Sequence, residues 1–141
     1  MLKSGLTNSA AETEELGREF GAQLSRGSVV ALFGELGAGK TTFIKGLVQG
    51  GAGGSADQVQ SPTFSYLNIY EGTKGTLYHF DLYRLRDEEA FLSMGFDEYF
   101  YSEGICCIEW SEKIEALLPD EALRVEIAHL GPEKRRISIS G

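Results

Sequence analysis

The chain predicts an α/β fold, with a mostly parallel central sheet, antiparallel strands at its edges and helices on both faces. Three observations lead there. Two continuous apolar runs, Val29-Val30-Ala31-Leu32-Phe33 and Ile105-Cys106-Cys107-Ile108, lack the alternation of a half-exposed strand and read as strands covered on both faces. The first enters a glycine-rich turn and then a stretch with Phe43, Ile44, Leu47 and Val48 on one helical stripe, which makes a strand–loop–helix unit. Shorter runs at 66–70 and 76–83, and again at 123–128 and 135–140, are joined by glycine-containing turns and supply antiparallel pairs.

In chain order, the first element is a helix over 10–26. Ser9 and Glu12 stand in capping-box spacing before it, Gly27 closes it, and Leu16, Phe20 and Leu24 form its apolar stripe. The strand at 29–33 and a helix from Gly39 to about Leu47 follow. Residues 50–55 read Gly-Gly-Ala-Gly-Gly-Ser, a composition expected to form a mobile connection and no helix. A hairpin-like turn at 71–75 joins the next two strands. Ala90, Phe91, Met94 and Tyr99 predict a short helix and then an aromatic surface loop, and a further short helix at 111–118 ends at Pro119. The last two strands, separated by Gly131-Pro132, are expected at a sheet edge. Residues 1–141 are expected to form one domain.

The chemistry concentrates in Gly34-Glu35-Leu36-Gly37-Ala38-Gly39-Lys40-Thr41-Thr42, which fits G-x-x-x-x-G-K-[ST], the phosphate-binding P-loop. Glycines let the backbone N–H groups of residues 35–39 turn inward around phosphate oxygens. Lys40 places a positive charge on the β- and γ-phosphates, and the hydroxyl of Thr41 is placed to ligate magnesium. The helix that follows adds its positive dipole end. A dinucleotide fingerprint starting at Gly37 would need glycine where Thr42 stands. The fold class is therefore P-loop NTPase-like.

Two carboxylates stand where apolar strands stop, Asp81 after Leu77-Tyr78-His79-Phe80 and Glu109 after the cysteine-bearing run. In an open α/β sheet ligands lie at the carboxyl ends of strands, on the edge that carries the P-loop. Glu109 is assigned to magnesium, in the manner of a Walker B acid, and Asp81 to orienting or activating the attacking water, although the two roles are interchangeable at this stage. Thr63 resembles the threonine of a nucleotide-sensing switch loop, and a proline-fixed turn explains the same residues. Trp110 packs beside the nucleotide or in the core. His79 shares a strand face with Asp81, where a structural hydrogen-bonding role is the simpler reading. Arg84 and Arg86 are the arginines near this expected site.

Thirteen Lys and Arg against 21 Asp and Glu give a net charge of −8, which argues against a surface that grips nucleic acid unaided. No stretch has the apolar length of a membrane span and the first residues lack the apolar core of a signal peptide, so a cytoplasmic protein is expected. The two cysteines, Cys106 and Cys107, are adjacent, point to opposite faces of a strand and read as buried reduced thiols.

GELGAGKTT, SPTF, HFDLYRL and IEWSEKI, in this order, resemble the TsaE family, the ATPase of bacterial tRNA threonylcarbamoyladenosine biosynthesis. The resemblance spans residues 6–140. It implies an ATP- and magnesium-dependent enzyme that works with the TsaB–TsaD heterodimer, meets tRNA only through those partners and resets the complex between turnovers. It also implies phosphate contacts from Lys40 and Thr42, a magnesium contact from Thr41, a switch-like Thr63, an essential acid at Asp81 and a Glu-Trp pair at Glu109 and Trp110.

Other readings remain at this level. A small P-loop kinase usually brings arginines over the phosphates on a lid, and residues 50–75 hold none. A regulatory GTPase would show N-K-x-D. A nucleotide-gated binding module would use the same P-loop without turnover.

Overall fold

The computed structural model describes residues 4–34, 39–62 and 64–141 of the chain. The two continuous apolar runs become β2 (Val29–Phe33) and β5 (Ile105–Glu109), which pair in parallel with every residue of both buried. Around them the described residues add β1 (Gly5–Thr7), β3 (Leu67–Glu71), β4 (Thr76–Asp81), β6 (Leu123–His129) and β7 (Arg135–Ser140). One seven-stranded sheet results, in the order β1-β7-β6-β2-β5-β4-β3. The four inner strands β6, β2, β5 and β4 are parallel. Antiparallel strands flank them, β3 on one side and β7 and β1 on the other.

Helices cover both faces. On one face α1 (Ala10–Ala22) and α2 (Lys40–Leu47) bury Phe20, Phe43, Ile44 and Leu47 against Val30, Leu32 and Cys107. On the other, α3 (Glu88–Ser93) and 3-10 turns at Phe96–Tyr101 and Ser111–Leu117 enclose Phe80, Leu85, Phe91, Cys106, Ile108 and Ile114. The adjacent cysteines thus serve opposite cores, both as free thiols. No helix among the described residues is long and apolar enough to cross a membrane.

Several expectations need correction. α1 stops at Ala22, capped by Gln23, because residues 24–28 are used to turn into β2; Gly27 takes φ +80° there and its N–H donates to Glu103 O. The glycine-rich stretch after α2 is helical: Val48–Ala52 forms a π-helical turn capped by Gly53. The reason is close approach to α1. A Cβ on Gly46 would lie 1.9 Å from Glu14 O, and one on Gly50 would lie 1.9 Å from Arg18 O. Glycine here lets two helix backbones touch, and that contact outweighs its poor helix propensity. The aromatics at 96–101 are not a surface loop, since Phe96, Tyr99 and Phe100 pack into the second core. β6 lies inside the sheet beside β2, and the unanticipated β1 takes the edge outside β7. β3 begins at Leu67 because Tyr66 has φ +68°. β4 ends at Asp81, and residues 111–117 are 3-10 turns kinked at Ile114.

Candidate functional site

Parallel strands share a polarity, so β2, β4 and β5 end on one edge of the sheet. There Asp81 and Glu109 stand directly opposite each other in register. β2 leads through Gly34 toward Gly39, whose φ of +99° turns the chain into α2, and Lys40 is the first residue of that helix. These ends surround a cavity of about 530 Å³ lined by Gly39, Lys40, Thr41, Thr42, Asp81, Glu109 and Trp110. All seven described members of the sequence-predicted site are therefore brought together. Glu35, Leu36, Gly37, Ala38 and Thr63 lie outside the described residues.

Burying charged groups costs free energy unless donors or acceptors meet them, and each charge here is met. The Lys40 ammonium donates to Gly34 O at 3.0 Å and sits 4.4 Å from the centre of the Trp110 ring. Asp81 is buried and accepts from Ser61 Oγ at 2.8 Å and from the Tyr83 N–H at 3.0 Å. Glu109 is buried and its Oε2 is 2.6 Å from His79 Nε2. His79 is fully buried, and its Nδ1 is 2.9 Å from the Tyr70 hydroxyl, which burial pushes above its ordinary pKa. Trp110 has φ +62°, a left-handed conformation rare outside glycine, which swings the chain sharply away after Glu109 and presents the indole to the cavity. Thr41 is exposed at the first turn of α2.

The arginine expectation is corrected. Arg84 lies over the exposed Phe64 ring, 4.4 Å from its centre, and Arg86 meets Asp87 at 3.3 Å. The arginine that lines the cavity is Arg135, from the start of β7, which also donates to Gly131 O and Lys134 O.

A family profile described as "Threonylcarbamoyl adenosine biosynthesis protein TsaE" matches residues 7–137. The chain belongs to the TsaE family. It is 40% identical over 135 residues to the tRNA threonylcarbamoyladenosine biosynthesis protein TsaE of Treponema pallidum strain Nichols, covering 96% of this chain and 98% of that protein. Identity to the protein of the same name from Bacillus subtilis strain 168 is also 40%, over 92% of this chain and 79% of the relative. The crystal structure of Bacillus subtilis YdiB superposes with a TM-score of 0.75 at 35% identity, covering 99% of this chain and 86% of that one. The role of the TsaE family is in tRNA threonylcarbamoyladenosine biosynthesis.

For a TsaE-family chain the donor set at this site fits magnesium. Hard oxygen donors, the Thr41 hydroxyl and the Glu109 and Asp81 carboxylates, line one cavity. No group of three or more His, Cys, Asp or Glu able to hold a metal occurs among the described residues. Sequence reasoning missed Ser61, Tyr70 and Arg135 as parts of the site. Ser61 was visible inside Ser-Pro-Thr-Phe two residues before Thr63, but nothing in the sequence announces that its hydroxyl meets Asp81. Arg135 reaches the cavity only because β7 folds back beside β6.

Proposed function

We propose that this TsaE-family chain is the magnesium-dependent ATPase subunit of cytoplasmic tRNA threonylcarbamoyladenosine biosynthesis, acting on the TsaB–TsaD transferase complex. The observation that carries the reading is the convergence of Lys40, Thr41, Asp81 and Glu109 on one cavity at the N-terminus of α2. ATP enters with its triphosphate at that helix end. Lys40 leaves Gly34 O for the β- and γ-phosphates, exchanging a carbonyl partner for a charged one. Thr41 and Glu109 would hold magnesium, which would supply positive charge against the negative charge that develops on the phosphates. Asp81 is fixed through one oxygen by Ser61 and through the other by the Tyr83 N–H, so its direction is set before substrate arrives. In that pose it orients the attacking water. The acidic chain leaves tRNA to its partners.

The test is ATP hydrolysis by the purified chain with magnesium, alone and with a TsaB–TsaD pair. Slow turnover alone, stimulated by the pair and absent in Lys40→Ala, is expected. ATP binding without turnover under either condition would replace this account with a nucleotide-gated binding module.

A further inference from the structure

Glu109 does not stand alone behind the site. A line of buried polar groups runs from it across the sheet: Glu109 Oε2 to His79 Nε2 at 2.6 Å, His79 Nδ1 to the Tyr70 hydroxyl at 2.9 Å, and that hydroxyl to Gln60 O at 2.9 Å. Three neighbouring strands of the sheet contribute one member each, β5, β4 and β3. It ends on the segment whose next residue, Ser61, binds Asp81 directly. Gln60 and Ser61 thus touch both acids, one through a hydroxyl and the other through a tyrosine–histidine pair.

The Tyr70 hydroxyl has one proton for two acceptors, Gln60 O and His79 Nδ1, and when it goes to His79 the loop is held through the Gln60 N–H instead. With the ring proton on Nε2, His79 donates to the Glu109 carboxylate and accepts at Nδ1 from the Tyr70 O–H. The Tyr70 oxygen then accepts from the Gln60 N–H at 3.2 Å, while Asn68 Nδ2 donates to Gln60 O at 3.0 Å. One oxygen of Glu109 is committed to His79, and the residue lines the cavity. A carboxylate anchored in this way cannot rotate to offer a different lone pair. Groups behind a metal ligand typically change metal affinity or activity by about 10- to 100-fold when removed.

We propose that Tyr70 and His79 are positioning residues that aim Glu109 at the magnesium–triphosphate site and tie that aim to the Gln60–Ser61 segment. The inference rests on the ATPase reading above and adds to it a coupling between the loop and the metal-facing acid. Loss of the histidine leaves Glu109 free to turn, and loss of the tyrosine hydroxyl frees the ring and uncouples the loop.

The sole tryptophan, Trp110, follows Glu109 directly and reports on the site. The experiment titrates MgCl2 into the full chain with a saturating non-hydrolysable ATP analogue and follows Trp110 fluorescence, for wild type, His79→Asn, His79→Gln and Tyr70→Phe. Asparagine reproduces the Nδ1 position and cannot reach Glu109, whereas the glutamine amide reaches the Nε2 position. His79→Asn is expected to raise the half-saturating magnesium concentration about tenfold, with magnesium-free nucleotide binding unchanged. His79→Gln is expected to fall within about threefold of wild type, and Tyr70→Phe to lie between the two. A merely structural role for His79 would lower thermal stability in both variants without this split. Should His79→Asn fail to fold, Tyr70→Phe decides, since it keeps the ring. Unchanged magnesium dependence in the folded variants overturns the inference alone. A wild-type chain that shows no magnesium-dependent nucleotide binding overturns the ATPase reading and this inference with it.

Discussion

Two cavities of nearly equal volume, about 510 and 530 Å³, open at opposite ends of the parallel strands. The smaller lies where strands begin, beside Thr76 of β4 and Ile105 of β5, and is walled by Gly50, Gly51, Gly104 and the apolar part of α1. Its charged side chains, Arg26, Lys74 and Glu103, are exposed, with Arg26 and Glu103 3.8 Å apart. The larger lies where strands end and holds a buried lysine, two buried carboxylates and a helix N-terminus. Size does not distinguish them. Strand polarity does, because it decides which end receives the acids that close β4 and β5 and the N–H groups that open α2.

Substitutions at the two ends should separate sharply. Lys40→Ala is expected to lower ATP turnover by at least about 10²-fold, since the proposed role puts the lysine where charge develops in the transition state. Arg26→Ala and Glu103→Ala are expected to stay within about twofold in the same assay. Equal losses at both ends would break the comparison.

A stability effect without a chemical one is expected from Gly50→Ala. This position walls the opposite cavity, and the added methyl would meet Arg18 O at 1.9 Å, a backbone atom that cannot turn aside. A loss of about 1–3 kcal/mol, read as a fall in Tm of about 5 °C, should accompany unchanged turnover per folded molecule. A native Tm would show that α1 and the π-helical turn after α2 can separate freely.

An effect confined to alkaline pH belongs to β5, the strand that spans both ends. Burial pushes the Cys106 thiol up to about 12 and Cys107 well above its ordinary value. Unfolding exposes thiols that ionise near pH 9, so above that pH the unfolded chain binds fewer protons than the folded one and stability falls toward pH 12. Denaturant midpoints should show the gap between wild type and Cys106→Ala closing by at most about 1.4 kcal/mol per pH unit above pH 9. A constant gap would mean the thiol ionises as easily folded as unfolded.

The legible parts of the molecule were those whose signal is local. β2 and β5 announce themselves by unbroken apolar runs, and the start of α1 by Ser9, whose Oγ accepts from the Glu12 N–H. Asp81 and Glu109 each end such a run, and register brings them to one cavity. What stayed hidden depends on partners distant in sequence. β1 has three residues and no periodicity of its own, and exists by pairing with β7. Gly50 reads as a breaker until α1 lies against it. His79 reads as one histidine in a strand until register brings Tyr70 and Glu109 to its two nitrogens. Arg84 and Arg86 are near Asp81 in sequence, yet the arginine that lines the cavity is Arg135.

The central claim is that turnover at the larger cavity, and not mere occupancy, serves tRNA modification. The most direct measurement is the threonylcarbamoyladenosine content of tRNA, by mass spectrometry of nucleosides, in bacteria depleted of their own relative and supplied with wild type, Lys40→Ala or Asp81→Asn. Asp81→Asn is expected to bind ATP, as read by Trp110 fluorescence, with turnover lowered by about 10²–10⁴-fold. Restoration by wild type alone is the predicted result. Restoration by Asp81→Asn at that lowered turnover would contradict the account.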